Sequence, residues 1–346
     1  MKKTIIIISI IAGIAAIYTA WNLFGPTLSI PEKKFFYVYS GSDYEKVRQS
    51  LLDKNIIKSK GWFDFVSKRL KYPNNIKPGK YEIKEGMSLF GLIRTLKSGN
   101  QTPVRLVINK IRTKEDLAGK IGKNFETDSA TAIRFLTSND SLSSFGLDTN
   151  TVMTIVIPNS YMLWWNGSFR KIITRLKDQH DKFWEGKRTE QAKKMGFIPS
   201  QVYTIASIVE EETLKEEDKG KIASVYMNRI SKDMKLEADP TVKYAMRDFG
   251  LKRILHGHLK HSSPYNTYQN KGLPPGPICT PSMNTIDAVL NAPKTDYIFF
   301  VAKPDFKGYS NFAATYPEHQ KYAKAYQQAL DSLFAKRKNL NQTNKP

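Results

Sequence analysis

The sequence predicts an α+β protein with an N-terminal transmembrane helix and a C-terminal mixed α+β domain. Three observations support this fold class. An uncharged apolar run covers residues 4–24, and residues 35–150 alternate short β-branched or aromatic runs with helical patterns. Residues 151–335 combine longer helical patterns with a rigid Pro/Gly loop. The chain after the apolar run, about 320 residues, is long enough for two domains with their own cores.

The N-terminal run indicates a membrane anchor. A helix over residues 4–24 is long enough to cross the hydrocarbon core of a bilayer. Lys2 and Lys3 precede the run and no charge lies within it, which favours a cytoplasmic N-terminus and export of everything after Gly25. A cleaved signal peptide is the alternative. Its apolar part is usually shorter and ends at an A-x-A-like site, whereas this run ends near Trp21, an aromatic residue suited to the membrane interface.

The composition argues against several classes of site. The single cysteine, Cys279, excludes a disulfide framework and removes support for metal clusters and thiol chemistry. A formal net charge of +22 would suggest nucleic acid, but the basic residues are scattered along the chain. An anchored, exported protein would instead face anionic lipids and acidic wall polymers. We therefore expect no nucleic-acid partner and no cofactor.

Residues 35–150 repeat a short strand followed by a helix. The predicted strands are 35–39, 81–83 and 104–108. Ser88 is predicted to cap the helix after the second strand, and Gly99 to end it. Thr113 opens a further helix in a near capping box with Asp116. Any small α+β domain gives this rhythm, so the pattern alone does not identify a particular module.

Three consecutive carboxylates follow an apolar helical pattern over residues 200–213. On a helical wheel Glu212 lies closest to the apolar stripe, Glu210 next and Glu211 farthest, so Glu211 should be solvated. Partial burial raises a carboxyl pKa towards the range that a general acid needs, which makes Glu210 and Glu212 candidates. The alternative is a helix with a charged C-terminal half that continues through residues 216–218 and does no chemistry.

Three polar stretches after this helix suit a polyhydroxylated ligand. Loop residues of the types Tyr, Asn, Thr and Asp can bind hydroxyl groups, and aromatic faces can stack on sugar rings. The stretches are residues 238–242, 264–268 and the Pro/Gly loop at 272–277. The candidate binding residues in the first two are Asp239, Thr241, Tyr265, Asn266, Thr267 and Tyr268.

His256, His258 and His261 are spaced like metal ligands. The segment that carries them is basic and loop-like, with no cysteine or carboxylate nearby. We therefore predict a solvated loop near the sugar site and no metal.

Five motifs in one order resemble the MltG/YceG-like endolytic murein transglycosylases. They are Ile205-Ala206-Ser207-Ile208-Val209-Glu210-x-Glu212-Thr213, Val225-x-x-Asn228-Arg229, Asp239-Pro240-Thr241-Val242, Tyr265-Asn266-Thr267-Tyr268 and Gly272-Leu273-Pro274-Pro275-Gly276-Pro277-Ile278. Upstream, Lys77-Pro78-Gly79-Lys80-Tyr81 and Leu96-Lys97-Ser98-Gly99 resemble the LysM-like region of the same family.

The resemblance also implies a domain organisation. The expected parts are a cytoplasmic stub and anchor at 1–25, a linker at 26–34, a LysM-like α+β region at 35–150, a YceG-like catalytic domain at 151–335 and a flexible tail at 336–346.

The resemblance implies an activity and assigns residues to it. The expected reaction cuts the MurNAc-GlcNAc bond within peptidoglycan strands, on nascent strands, and leaves 1,6-anhydroMurNAc ends. By position in its motif, Glu210 is implied as the single acid and base. Glu212 would then bind substrate and support Glu210, by orienting its neighbours or raising its pKa through like charge. Asn311 is a further expected substrate contact. The catalytic domain is expected outside the inner membrane, with cell-wall synthases as partners.

Two rival functions stay open at this point. One is a hydrolytic muramidase that uses Glu210 with Glu212 or Asp239 and a water molecule. The other is a non-catalytic wall-binding scaffold for the cell-wall synthesis machinery. The products of digestion and the effect of Glu210→Gln distinguish these functions.

Overall fold

The computed structural model describes residues 2–343, which form a mixed α+β protein. In chain order the elements are α1 Lys2–Phe24, β1 Phe35–Val38, α2 Tyr44–Asp53, α3 Lys60–Arg69, β2 Gly79–Glu82, α4 Leu89–Ser98, β3 Val104–Ile108, α5 Lys114–Asn124, α6 Ser129–Leu136, α7 Asn139–Ser143, β4 Asn159–Leu163, α8 Phe169–Trp184, α9 Lys187–Lys194, α10 Pro199–Glu212, α11 Glu216–Ser231, α12 Asp239–Met246, α13 Met283–Leu290, β5 Phe299–Ala302, β6 Ser310–Ala313 and α14 Tyr316–Thr343. The predicted α+β class is confirmed. The LysM-like character of the N-terminal modules stays a prediction.

The chain folds into two compact units, each made of three separate segments. Unit 1 consists of Met1–Leu106, Lys120–Ser129 and Tyr161–Ile172. Unit 2 consists of Val107–Gly119, Ala130–Ser160 and Ile173–Pro346. The domain limits expected from the sequence stay predictions.

Helix α1 is apolar and none of its residues is buried. By length and composition it can cross a membrane, a test that a signal sequence near the N-terminus also passes. The predicted apolar helix is therefore confirmed. The choice between a permanent anchor and a cleaved signal stays a prediction.

Unit 1 has one core built by a small sheet and three helices. Strands β1 and β2 pair in antiparallel register, with Phe36 opposite Tyr81, and both side chains are fully buried. The side chain of Ser88 accepts a hydrogen bond from the backbone N–H of Gly91, and Gly99 ends α4 with φ 74°. These two predicted caps are confirmed. The first two predicted strand–helix modules share one sheet and one core.

Unit 2 is organised around α10. All eight residues from Val202 to Val209 are buried, so the predicted one-sided apolar stripe is wrong. The polar groups within this stretch have internal partners, since the Tyr203 hydroxyl donates to Val156 O at 2.7 Å and Ser207 Oγ donates to Thr204 O at 2.7 Å. A helix that is buried all round exposes side chains mainly at its ends. The carboxylates at its C-terminal end are therefore the reactive side chains of α10 that a ligand can reach.

Helix α10 ends at Glu212. Thr213 adopts an extended backbone with φ −145° and ψ 146°, and α11 starts anew at Glu216. A single charged helix that continues through residues 216–218 is therefore excluded.

The last helix, α14, runs from Tyr316 to Thr343. The predicted tail at 336–346 overlaps this helix, and its residues 344–346 lie outside the described part of the chain.

Candidate active site

The three consecutive glutamates have different environments although they share one helical turn. Glu210 Oε2 accepts hydrogen bonds from Ser282 Oγ at 3.1 Å and from Thr285 Oγ1, and lies 3.7 Å from Lys219 Nζ. Ser282 is the N-cap residue of α13. Glu210 therefore links the end of α10 to the start of α13 through this cap residue and Thr285.

Glu211 is held in an ion pair. Arg112 donates from Nε at 3.1 Å and from Nη2 at 3.0 Å, and Lys110 Nζ lies 2.9 Å away. The side chain is only 16% exposed, so the prediction that Glu211 is solvated is wrong. Burial raises the pKa of Glu211, but the hydrogen bonds from Arg112 and Lys110 outweigh burial and lower the pKa below its usual value. Glu211 is therefore ionised at neutral pH and has no proton to donate.

Glu212 is the carboxyl with the properties of a general acid. Its Oε1 accepts a hydrogen bond from the Tyr226 hydroxyl at 2.6 Å. Burial raises the pKa of Glu212 to about 7, with the Tyr226 hydrogen bond acting against burial and the charge of Asp239 adding to it. At neutral pH such a carboxyl can both give and take a proton.

Two tyrosines and a second carboxylate surround Glu212. Asp239 is the first residue of α12, and its Oδ1 accepts a hydrogen bond from the Tyr268 hydroxyl at 2.7 Å. Burial and the neighbouring carboxylates raise the pKa of both Tyr226 and Tyr268 above the usual value. Both hydroxyls therefore stay protonated. We call Glu212, Tyr226, Asp239 and Tyr268 the Glu212 cluster.

Three of the residues predicted to bind substrate are buried and hold this cluster in place. Thr241 Oγ1 and Thr267 Oγ1 lie 2.8 Å apart, and Thr267 Oγ1 accepts from the backbone N–H of Ala238 at 3.0 Å. The Asn266 side chain donates to two carbonyls of the preceding loop and accepts from the backbone N–H of Tyr268. These contacts fix the start of α12 and the loop that carries Tyr268. Thr241, Asn266 and Thr267 thus position residues of the cluster.

The other two predicted binding residues, Tyr265 and Asn311, lie outside the Glu212 cluster. The Tyr265 ring lies 4.8 Å from the Tyr244 ring, and its hydroxyl approaches Gly276 in the Pro/Gly loop. A Cβ atom at Gly276 would meet the carbonyl oxygen of Asn150 at 2.1 Å, so this close approach requires glycine. Asn311 lies on β6, in the antiparallel β5–β6 pair. The structure places Glu212, Asp239 and Tyr268 together and leaves Asn311 on a different element.

The partners of the glutamates were not predicted from the sequence. They are Lys110, Arg112, Lys219, Tyr226, Ser282 and Thr285. Tyr226 occupies an unspecified position of the motif Val225-x-x-Asn228-Arg229. Its place within that motif was the only sequence signal that could have identified it as a site residue. The others lack any such signal.

Tyr226→Phe is expected to raise the pKa of Glu212, because the lost hydroxyl donates to the ionised carboxylate. A hydrogen bond to a charged group contributes roughly 1.4 kcal/mol or more, which corresponds to a change of about one in pKa. Carbon-13 NMR titration of the glutamate carboxyls measures this change. Tyr203→Phe is the matched control, because it removes a buried hydroxyl that donates to Val156 O. An unchanged or lowered Glu212 pKa in Tyr226→Phe would contradict this account of the site.

Comparisons with known proteins agree on one family. A model of the YceG-like family matches residues 36–325. An endolytic murein transglycosylase of Bacillus subtilis (strain 168) is 30% identical over 303 residues, which cover 83% of this chain and 83% of the relative. An endolytic murein transglycosylase of Streptococcus pneumoniae serotype 2 (strain D39) is 27% identical over 307 residues, which cover 80% of this chain and 54% of that relative.

A solved structure agrees with this family. The 2.6 Å crystal structure of a YceG-like protein from Listeria monocytogenes matches with a TM-score of 0.55 and 28% identity. The match covers 83% of this chain and 98% of that chain.

Proposed function

The chain belongs to the YceG-like family, and we propose that Glu212 is the proton donor and acceptor of its reaction. The protein is an endolytic murein transglycosylase, a lyase that cuts peptidoglycan strands within their length. The assignment of the acid to Glu210, which rests on motif position, stays a prediction. The contacts of the two carboxyls favour Glu212, and the observation that carries this choice is its buried carboxyl with a pKa of about 7 beside Tyr226.

The proposed reaction needs one carboxyl and no water. Protonated Glu212 gives its proton to the glycosidic oxygen between MurNAc and GlcNAc, and the bond from C1 of MurNAc to that oxygen breaks. The resulting carboxylate then takes the proton of the C6 hydroxyl of the same MurNAc. The O6 atom closes on C1 and forms the 1,6-anhydro sugar. Glu212 ends the cycle protonated, as it began.

The neighbouring carboxylates already have hydrogen-bond partners, which supports this reaction over hydrolysis. A hydrolase of the usual kind needs a second carboxylate that acts as nucleophile or activates water. Glu211 is bound by Arg112 and Lys110, and Asp239 accepts the Tyr268 hydroxyl. A role for Asp239 in binding the sugar through its hydroxyl groups fits this arrangement.

The chemistry of the new ends tests the proposal. We expect digestion of intact glycan strands to give internal fragments that end in 1,6-anhydroMurNAc, detected by mass spectrometry as ends 18 Da lighter than hydrolysed ones. Reducing MurNAc ends would instead identify a muramidase. Binding of glycan without any cleavage would identify a wall-binding scaffold.

We also propose where the enzyme works. Helix α1 is long and apolar enough to span a membrane, and the lysines before it favour a cytoplasmic N-terminus. Unit 2, which carries Glu212, then lies on the extracytoplasmic side of the inner membrane, where the net charge of the whole chain, +22, suits contact with acidic wall polymers. A cut in nascent strands close to the membrane would place the enzyme beside the cell-wall synthases.

A further inference from the structure

The C-terminal turns of α1 contact the rest of unit 1. The ring of Tyr18 lies 6.1 Å from the ring of Trp62 on α3, and the ring of Phe24 lies 5.4 Å from that of Phe90 on α4. Leu23 packs against the hydrophobic core of unit 1. The last turns of α1 therefore already pack against the folded part of unit 1.

This contact fixes the depth of α3 relative to a membrane that α1 spans. A helix rises 1.5 Å per residue, so Tyr18 lies about 9 Å before Phe24 along the axis. The run of residues 4–24 is only just as long as the hydrocarbon core, about 30 Å, is thick. Tyr18 must therefore lie at or below the level of the lipid headgroups. The ring of Trp62 lies 6.1 Å from that of Tyr18 and is therefore close to this depth.

Helix α3 has the side chains that this depth requires. Trp62, Phe65 and Arg69 follow one edge of the helix, with 6.0 Å between the two rings and the Arg69 guanidinium 5.4 Å from the centre of the Phe65 ring. Phe65 is 46% exposed although it is a large apolar side chain. Aromatic rings beside exposed cations are typical of segments that lie in the membrane interface.

The charge around α3 is strongly positive. Residues 54–71 contain six lysines and arginines and a single carboxylate, Asp64. Asp64 is already paired with Arg48 at 3.1 Å. The six cations are Lys54, Lys58, Lys60, Lys68, Arg69 and Lys71, all exposed. Exposed cations near an anionic membrane surface strengthen binding to it.

A cavity of about 300 Å³ opens between the end of α1 and the start of α3. Its lining includes Tyr18, Trp21, Lys58, Ser59 and Trp62. It thus combines interfacial aromatic rings with a cation and a hydroxyl, which is the chemistry that a phosphodiester headgroup needs.

We propose that α3 and this cavity bind the headgroups of anionic phospholipids in the leaflet from which α1 emerges. The inference rests on the proposal that α1 spans the membrane, and it is independent of the assignment of Glu212. It makes unit 1 a membrane-bound platform, held to the lipid surface at α3 as well as by its anchor.

Quenching of tryptophan emission by brominated lipids tests the depth of α3. The full chain is reconstituted in nanodiscs of phosphatidylcholine and phosphatidylglycerol that contain lipid brominated near the headgroup. Trp62→Phe is expected to lose part of the quenching seen in the wild type. Trp184→Phe, which removes a buried ring of unit 2, is the matched control and is expected to lose none. Thermal unfolding of each variant verifies that it is folded.

The variant Trp21→Phe separates failure of this inference from failure of the anchor. Quenching lost in Trp21→Phe but unchanged in Trp62→Phe would overturn the inference and leave the membrane span intact. Absence of quenching in the wild type would overturn both.

The lipid preference is tested separately. Brominated phosphatidylglycerol is expected to quench more than the same fraction of brominated phosphatidylcholine. The excess should disappear in the combined variant Lys58→Gln, Lys60→Gln, Arg69→Gln, and shrink at high salt. Equal quenching by the two lipids in the wild type would overturn the preference for anionic headgroups.

Discussion

Glu212→Gln is expected to abolish glycan cleavage, with kcat lowered by roughly 10²-fold to 10⁴-fold or more. Glutamine cannot donate a proton to the glycosidic oxygen. Its side-chain oxygen can still accept the Tyr226 hydroxyl, so the geometry of the Glu212 cluster should survive. The measurement is the rate at which 1,6-anhydro ends appear in a digest of intact strands, together with glycan binding, which the variant should retain.

Glu210→Gln is the matched control, because the same change is made two residues away on the same helix. Glu210 connects α10 to Ser282 and Thr285 near the start of α13. Its loss should lower thermal stability and leave kcat per folded molecule largely intact. Full activity in Glu212→Gln with none in Glu210→Gln would contradict our proposal and support the assignment by motif position. Loss of cleavage activity in both variants, with the stability of both unchanged from the wild type, would contradict any mechanism that uses a single carboxyl.

The pH dependence of the free energy of unfolding is a second measurement that tests Glu212→Gln. The pKa of Glu212 is raised from about 4.5 in the unfolded chain to about 7 in the fold. Below pH 4.5 both states are protonated and the carboxyl costs nothing. As pH rises from 4.5 to 7 the unfolded chain releases its proton first, so folding loses stability, by about 3 kcal/mol once pH exceeds 7. The glutamine variant should therefore be more stable than the wild type at pH 8, by up to this amount, and similar at pH 4 in urea denaturation.

Local features of the fold could be predicted because their causes lie within a few residues. The capping box at the start of α5 is an example. Asp116 Oδ2 accepts from the backbone N–H of Thr113 at 2.9 Å, and Thr113 Oγ1 accepts from that of Asp116 at 3.0 Å. The two partners are only three residues apart in sequence, so the pattern of residue types determines the contact.

Helix α3 was not predicted, because its own sequence favours helix weakly. Gly61 and the aromatic residues Trp62, Phe63 and Phe65 have lower helix propensity than straight-chain residues. The helix is stabilised instead by the Ser59 cap and by burial of Phe63 and Val66 in the core of unit 1. Such tertiary packing is not visible in a local pattern.

The roles of the three glutamates depended on contacts between distant segments. The helical wheel assumed that α10 has one buried face, but the helix is surrounded along its middle. Glu211 was expected in solvent because it lies farthest from the apolar stripe on the wheel. Its partner, Arg112, is 99 residues earlier in the chain, so a local pattern could not show their ion pair. The wheel did rank Glu212 as the most buried carboxyl, and its raised pKa agrees with that ranking. A motif states which residues recur together, whereas burial and hydrogen bonds determine which carboxyl keeps a proton.

Arg229→Met is expected to lower the free energy of unfolding by about 3 kcal/mol or more. Arg229 is 7% exposed. Its Nε donates to Ile298 O at 2.7 Å and its Nη1 donates to Leu236 O at 2.9 Å, and it is paired with Glu237 at 3.0 Å. Methionine keeps the apolar stem but leaves these buried carbonyls without their donor, and each such loss costs about 1–3 kcal/mol. Urea denaturation of the two proteins at pH 7 measures the difference.

Arg188→Met is the matched control for this prediction. Arg188 pairs with Asp287 through two hydrogen bonds of 2.7 and 3.0 Å, but both side chains are more than one-third exposed. Water can replace the lost partner there, so the cost should be within about 1 kcal/mol. Equal losses in the two variants would contradict the argument, since the ion pairs are alike and burial is the main difference. Because Arg229 also holds the chain that leads into Asp239, its variant should lose cleavage activity as well, whereas Arg188→Met should keep it.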